Sequence, residues 1–198
     1  MDKKMKSIGK PVLFLIALLA LMLAIGGCSP QAPASEVPAS ETPNAESPGS
    51  EAQAEDPYNK VIPFELPDLD GNIVSISDFE EKYVLINFWA TWCTYCDQEM
   101  PDLQKLQDNY GDELVVILVN VQEKEEEVGA YLEKRGLSML TVLDQKGEVS
   151  GMYGVTGMPS SYFVTPDQRV IGYVAGMMSY ETMEQSLEYV KEQYEATK

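Results

Sequence analysis

The stretch that most constrains this chain spans residues 83–110. An apolar run over 83–88 leads into Trp89-Ala90-Thr91-Trp92-Cys93-Thr94-Tyr95-Cys96, and a helical pattern starts at once. Cys96, Met100, Leu103, Leu106 and Tyr110 recur at spacings of three and four, which marks one face of a helix. Strand, Cys-x-x-Cys and helix in that order put Cys93 at a helix N-terminus. There the unpaired backbone N–H groups and the positive end of the macrodipole favour an anion. A thiol so placed loses its proton more easily, and the thiolate is the nucleophile. Cys96, one turn later on the same face, lies within the reach of a disulfide. The pair reads as a dithiol that opens and closes.

The chain has three cysteines and no histidine. Catalytic triads, imidazole metal sites and haem attachment through Cys-x-x-Cys-His are therefore excluded. A structural zinc site needs four ligands, and Cys93 and Cys96 supply two soft ones. Neither a metal nor another cofactor is expected.

The third cysteine, Cys28, belongs to a different segment. Residues 1–27 carry Lys3, Lys4, Lys6 and Lys10 ahead of an apolar run over 12–25, the charged and hydrophobic parts of a signal peptide. The end of the run, Ile25-Gly26-Gly27-Cys28, resembles a bacterial lipobox, in which small residues precede a cysteine that is lipidated and becomes the new N-terminus. Acyl chains on Cys28 would anchor the protein to a membrane without a protein span. Residues 28–57 then read as a disordered linker: six prolines, many Ala, Ser and Glu, and no Lys, Arg, aromatic, Leu or Ile. In an exported chain whose remaining cysteines are a single pair, that pair is catalytic or sensory.

Charge narrows the partners. Residues 1–27 hold one Asp and four Lys, and their removal leaves 31 acidic against 10 basic residues, a net of −21. Nucleic acid is excluded as a partner, because phosphates are bound by basic patches.

Residues 58–198, about 140 in number, form one domain large enough for a real core. The expected order opens with a hairpin turned at 67–72, a helical turn at 77–79 and a buried strand over 83–88. Helix one covers 93–110, with a bend expected at Pro101. A central parallel strand at 114–119 follows, then a helix at 125–135 whose acidic start, 123–127, suits a helix N-terminus facing solvent. A strand at 139–143, a short helical piece at 147–153, an antiparallel pair at 160–165 and 169–175, and a helix at 180–194 complete the domain.

The run Asn87-Phe88-Trp89-Ala90-Thr91-Trp92-Cys93-Thr94-Tyr95-Cys96 resembles the active-site segment of thioredoxin-fold proteins. With Asp97-Gln98-Glu99-Met100-Pro101 it resembles the TlpA/ResA-like group of membrane-anchored thiol–disulfide oxidoreductases. The resemblance covers residues 60 to 195. It implies an α/β thioredoxin-like fold, a mixed central sheet flanked by helices, with an N-terminal β-hairpin extension. It also implies that Cys93 attacks a disulfide and Cys96 resolves the mixed disulfide. Such relatives take electrons from a membrane thiol carrier and reduce exported proteins, including apocytochromes; a methionine sulfoxide reductase is a further candidate recipient.

The same resemblance assigns the rest of the site. Many thioredoxins carry an aspartate six residues before the first cysteine; Asn87 stands there and cannot titrate, so Glu99 is expected to move the proton of Cys96. Gly157-Met158-Pro159 resembles the loop whose cis proline faces the cysteines and whose preceding backbone pairs with an extended substrate. Trp92, Thr94, Tyr95, Met158 and Pro159 make up the expected substrate-contact set. Trp89 and Trp92 are expected to be half core and half rim. Met100, Met139, Met152, Met177 and Met178 are expected to fill gaps rather than to bind a soft metal. The uncharged Thr94-Tyr95 pair, with no histidine to stabilise the thiolate, points to a reductant. A non-catalytic copper-binding or copper-delivery lipoprotein and a peroxiredoxin-like peroxidase are the alternatives. The first usually uses Cys-x-x-x-Cys with a distant histidine, and the second a lone peroxidatic cysteine in a Pro/Thr setting; neither pattern occurs here.

Overall fold

The computed structural model describes residues 60–198. The expected signal peptide, Cys28 and the linker lie outside the described residues. The elements are β1 (Glu65–Pro67), β2 (Ile73–Ser75), a 3-10 turn (Ile76–Phe79), β3 (Tyr83–Trp89), α1 (Thr94–Tyr110) and β4 (Leu114–Val121). They continue with α2 (Glu125–Arg135), β5 (Leu140–Asp144), α3 (Glu148–Met152), β6 (Ser160–Val164), β7 (Val170–Ala175) and α4 (Tyr180–Glu195).

Five strands form one mixed sheet in the order β5-β4-β3-β6-β7. β3 lies parallel to β4, and β4 to β5, while β6 runs antiparallel to both β3 and β7. β1 and β2 form the separate hairpin, closed by Asp68, whose carboxylate accepts from the N–H groups of Asp70 and Asn72 at 2.9 and 2.8 Å. This is the mixed sheet with an N-terminal hairpin that the thioredoxin-like resemblance implied.

Burial explains why β3 is apolar on both faces, since its alternate side chains enter two cores. Leu85 and Trp89 point to one core, shared with Leu103 and Leu106 of α1, Val128 and Leu132 of α2, and Met183 and Leu187 of α4. Val84, Ile86 and Phe88 point to the other, shared with the hairpin and α3. Asn87 sits between Ile86 and Phe88 in β3, fully buried, so its side chain falls on the α1 side of the sheet.

Local chemistry sets the boundaries. Ser75 caps the 3-10 turn and shares a reciprocal capping box with Asp78, and Ser179 caps α4. α2 stops at Gly136, which takes the left-handed φ of +63° that glycine tolerates, while Leu137 N–H returns to the Leu132 carbonyl. α1 passes through Pro101 as one continuous element of 17 residues. Pro101 is exposed, and the Asp97 carbonyl gives up its intrahelical donor there. β3 and β4 each run past the apolar run read from sequence, to Trp89 and Val121, because the sheet continues to pair polar Asn120 with Trp89. Among the described residues no helix is long and apolar enough to cross a membrane.

Candidate active site

Cys93 occupies the junction between β3 and α1 and is the N-cap of α1; its sulfur accepts from the Cys96 N–H at 3.2 Å. The two cysteines form a disulfide, with Cα atoms 5.2 Å apart. Cys93 is 7 % exposed and Cys96 not at all, so of the two residues only the N-terminal one keeps any exposure to solvent. Thr94, Trp92 and Tyr95 are exposed around it, the two aromatic side chains at 70 % and 63 %. The expected division of both tryptophans into half core and half rim is corrected: Trp89 is wholly buried against Tyr131, and Trp92 is the rim.

The Met158–Pro159 peptide bond is cis. Pro159 is buried and Met158 packs on the core cluster that contains both cysteines. The Pro159 carbonyl accepts from the Gly176 N–H at 2.8 Å, so the loop after β7 is tied to the proline loop; Gly176 has the φ of +100° that glycine permits. Met100, Met139 and Met178 fill the core, but Met152 and Met177 are exposed, at 53 % and 46 %, and do not fill gaps.

Glu99 lies one turn beyond Cys96 on the inner face of α1 and is 1 % exposed. Oε1 accepts from the Met178 N–H at 2.8 Å, and Oε2 from Asn87 Nδ2 at 3.1 Å. Burial pushes its carboxyl up to about 7; the two hydrogen bonds lower it, and Asp102 adds a smaller raising contribution. Asn87 cannot titrate, yet it is not idle: Nδ2 also donates to Ser161 Oγ at 2.9 Å, across the β3–β6 register. Its Oδ1 is buried without a hydrogen-bond partner. The sequence reading missed Ser161 and Met178, which come from strands and loops more than 70 residues away; no local pattern marks them.

On the outer side of α1, Asp97 accepts from Tyr131 Oη at 2.7 Å and pairs with Arg135, whose guanidinium lies 3.8 Å above the Tyr131 ring. The Arg135 hydrogen bond, then that of Tyr131, holds the Asp97 carboxyl below its usual range. The loop before Cys93 is held by Glu123, which accepts from the N–H and the hydroxyl of Thr91. Glu123 was read as part of a solvated helix start; it precedes that helix and turns to the loop instead.

Among the described residues no three Cys, Asp or Glu side chains gather as a metal site. A cleft of about 750 Å³ lies between the hairpin and the β5–α3 loop, lined by Phe64, Leu66, Leu143, Asp144 and Met152 among others. It contains none of the expected site residues. The Cys93–Cys96 disulfide lies apart from that cleft.

Residues 57–173 match the model of the AhpC/TSA family. The thioredoxin-like protein YneN of Bacillus subtilis is 37 % identical over 63 % of this chain and 75 % of its own length. The thiol-disulfide oxidoreductase ResA of Geobacillus thermodenitrificans is 36 % identical over 65 % of this chain and 74 % of its own. A solved structure, the pneumococcal exposed lipoprotein thioredoxin Etrx1 from Streptococcus pneumoniae, superposes with a TM-score of 0.56. It is 27 % identical over 65 % of this chain and 99 % of its own. With the mixed sheet, the disulfide at the start of α1 and these relatives together, the chain belongs to the ResA-like thiol–disulfide oxidoreductases of the AhpC/TSA family.

Proposed function

We propose that this chain is an extracytoplasmic, lipid-anchored reductase of disulfides in exported proteins, working through Cys93 and Cys96. The observation that carries the reading is the asymmetric disulfide: Cys93 at the helix N-terminus and the solvent edge, Cys96 buried behind it. In the reduced state the Cys93 thiolate attacks one sulfur of a substrate disulfide, forms a mixed disulfide and releases the other sulfur as a thiolate. Cys96 then loses its proton and attacks Cys93 Sγ. Its electron pair forms the Cys93–Cys96 bond, and the substrate's second sulfur leaves reduced.

Glu99 is the proton acceptor for the second step. It is buried one turn from Cys96, and a carboxyl titrating at about 7 accepts and returns a proton near neutral pH. Asn87 and the Met178 N–H orient it. Trp92, Thr94 and Tyr95, with Met158 and Pro159 opposite, form the surface on which the substrate segment lies, its backbone pairing with that of Met158.

Residues 1–27 would deliver the protein across the membrane, lipid on Cys28 would hold it there, and residues 28–57 would space the domain from the surface. An exposed lipoprotein among its structural relatives supports that arrangement. The electron donor is a membrane thiol carrier, and apocytochrome c and methionine sulfoxide reductase are the kinds of recipient. The AhpC/TSA match keeps a peroxidase as the second reading. Equilibration with glutathione tests the assignment. A potential near thioredoxin's, about −270 mV, is expected, and one near DsbA's, about −120 mV, would make the protein an oxidant; both reference values are standard examples. Rapid turnover of hydrogen peroxide would favour the peroxidase.

A further inference from the structure

Glu123 stands beside α2 without capping it. Lys124 is the N-cap there, and its N–H is met by Glu127 at 3.4 Å. The Glu123 carboxylate crosses instead to the loop between β3 and α1. Oε2 accepts from the Thr91 N–H at 2.7 Å and from Asn120 Nδ2 at 2.8 Å, and Oε1 accepts from the Thr91 hydroxyl. Asn120 is fully buried near the end of β4 and is the register partner of Trp89, the last residue of β3. Both donors of Thr91, its N–H and its hydroxyl, are thus fastened, through one carboxylate, to the strand beside the one that carries the site. The next two residues are Trp92, which projects into solvent, and Cys93.

We propose that Glu123 is a positioning residue for the dithiol: its grip on Thr91 fixes the loop that presents Trp92 and Cys93 together to a protein disulfide. The proposal rests on the reductase reading above. A loop of four residues has little freedom to compensate when one anchor goes, and misplacing a reacting group by about 1 Å can cost about 100-fold in rate. Thr91 is partly exposed, so water replaces its lost acceptor; Asn120 is fully buried and its amide loses its partner, so thermal unfolding of each variant accompanies the rate measurements. A small disulfide needs the sulfur alone. A protein disulfide needs the sulfur and the Trp92 platform in one arrangement, so the two substrates separate positioning from general damage.

The test follows single-turnover oxidation of the fully reduced protein by insulin and by oxidised glutathione. In Glu123→Ala the ratio of the insulin rate to the glutathione rate should fall about tenfold. Glu123→Gln should restore most of that ratio: its oxygen can keep the Thr91 N–H and Asn120, and the Thr91 hydroxyl can turn to accept from the new amide. Glu123→Asp, one methylene shorter, should not. Thr91→Val approaches the same contact from the other side, and adding it to Glu123→Ala should lower the ratio no further. An unchanged ratio in Glu123→Ala, or full additivity in the double variant, overturns the proposal while leaving the reductase reading intact. A parent protein that reduces neither substrate overturns both.

Discussion

Replacing Glu99 by glutamine removes a buried group whose proton affinity differs between the folded and unfolded chain. The carboxyl titrates near 4.5 in the unfolded chain and at about 7 in the folded protein, because burial penalises its charge. Between these values the folded state holds a proton that the unfolded state has released, so stability falls as pH rises. The penalty is absent below about pH 4.5 and complete above about pH 7, where it amounts to about 3 kcal/mol. Glutamine carries no such penalty, but it has one acceptor oxygen where Glu99 uses two. The Met178 N–H keeps that oxygen. Asn87, whose Oδ1 lacks a partner, can rotate to accept from the new amide while the Ser161 hydroxyl turns to donate to the same oxygen, so the hydrogen-bond loss is about 1 kcal/mol.

Glu99→Gln should therefore be more stable than the parent by about 2 kcal/mol near pH 8, and equal or less stable by about 1 kcal/mol near pH 4.5. For a domain of this size the alkaline gain corresponds to a rise of about 6 °C in Tm. Thermal unfolding of both oxidised proteins across that pH range, followed by far-UV circular dichroism, measures it. A difference between parent and variant that does not change with pH would refute the reasoning, whatever its sign.

Three further outcomes are expected. Alkylation of the reduced protein should modify Cys93 before Cys96, with a Cys93 pKa below that of a free thiol, about 8.5; equal rates would contradict the helix-terminus argument. Glu99→Gln should slow resolution of the mixed disulfide by about tenfold or more while lowering the thiol pKa values, since a negative neighbour is gone; stopped-flow reduction and thiol titration across pH decide it. In a bacterial host that processes lipoproteins, Cys28→Ser should lose lipid and retain residues 1–27, and unchanged mass and lipid labelling would remove the anchor from the account.

The elements of the domain were legible because periodicity and burial agree in them. The face of α1 read from Cys96, Met100, Leu103 and Leu106 is the buried face, and the antiparallel pair read over 160–175 is the β6–β7 pair, although burial does not alternate along either strand. The cysteine pair and the cis proline loop were legible from local pattern and from the family resemblance. What escaped was the set of hydrogen bonds made over long sequence separations. Asn87 looked like a loss of function, and its amide in fact links Glu99 to Ser161. Glu123 looked like the first residue of an acidic helix start, because five consecutive charged residues hide the one that turns back. Trp89 and Trp92 are identical in type and three apart, and the strand-to-helix turn sends them to opposite environments. Single-sequence patterns assign a residue to a face; they do not name its partner on another element.

The central claim is that Cys93 attacks a protein disulfide and Cys96 resolves the product. Mixing reduced Cys96→Ser protein with a disulfide-bonded protein and mapping the adduct by mass spectrometry tests it directly. The account predicts a stable mixed disulfide through Cys93, and, with the parent protein, no accumulated adduct but an oxidised Cys93–Cys96 pair and a reduced substrate. Adduct formation that persists in Cys93→Ser and runs through Cys96, or no adduct in Cys96→Ser protein, would contradict it.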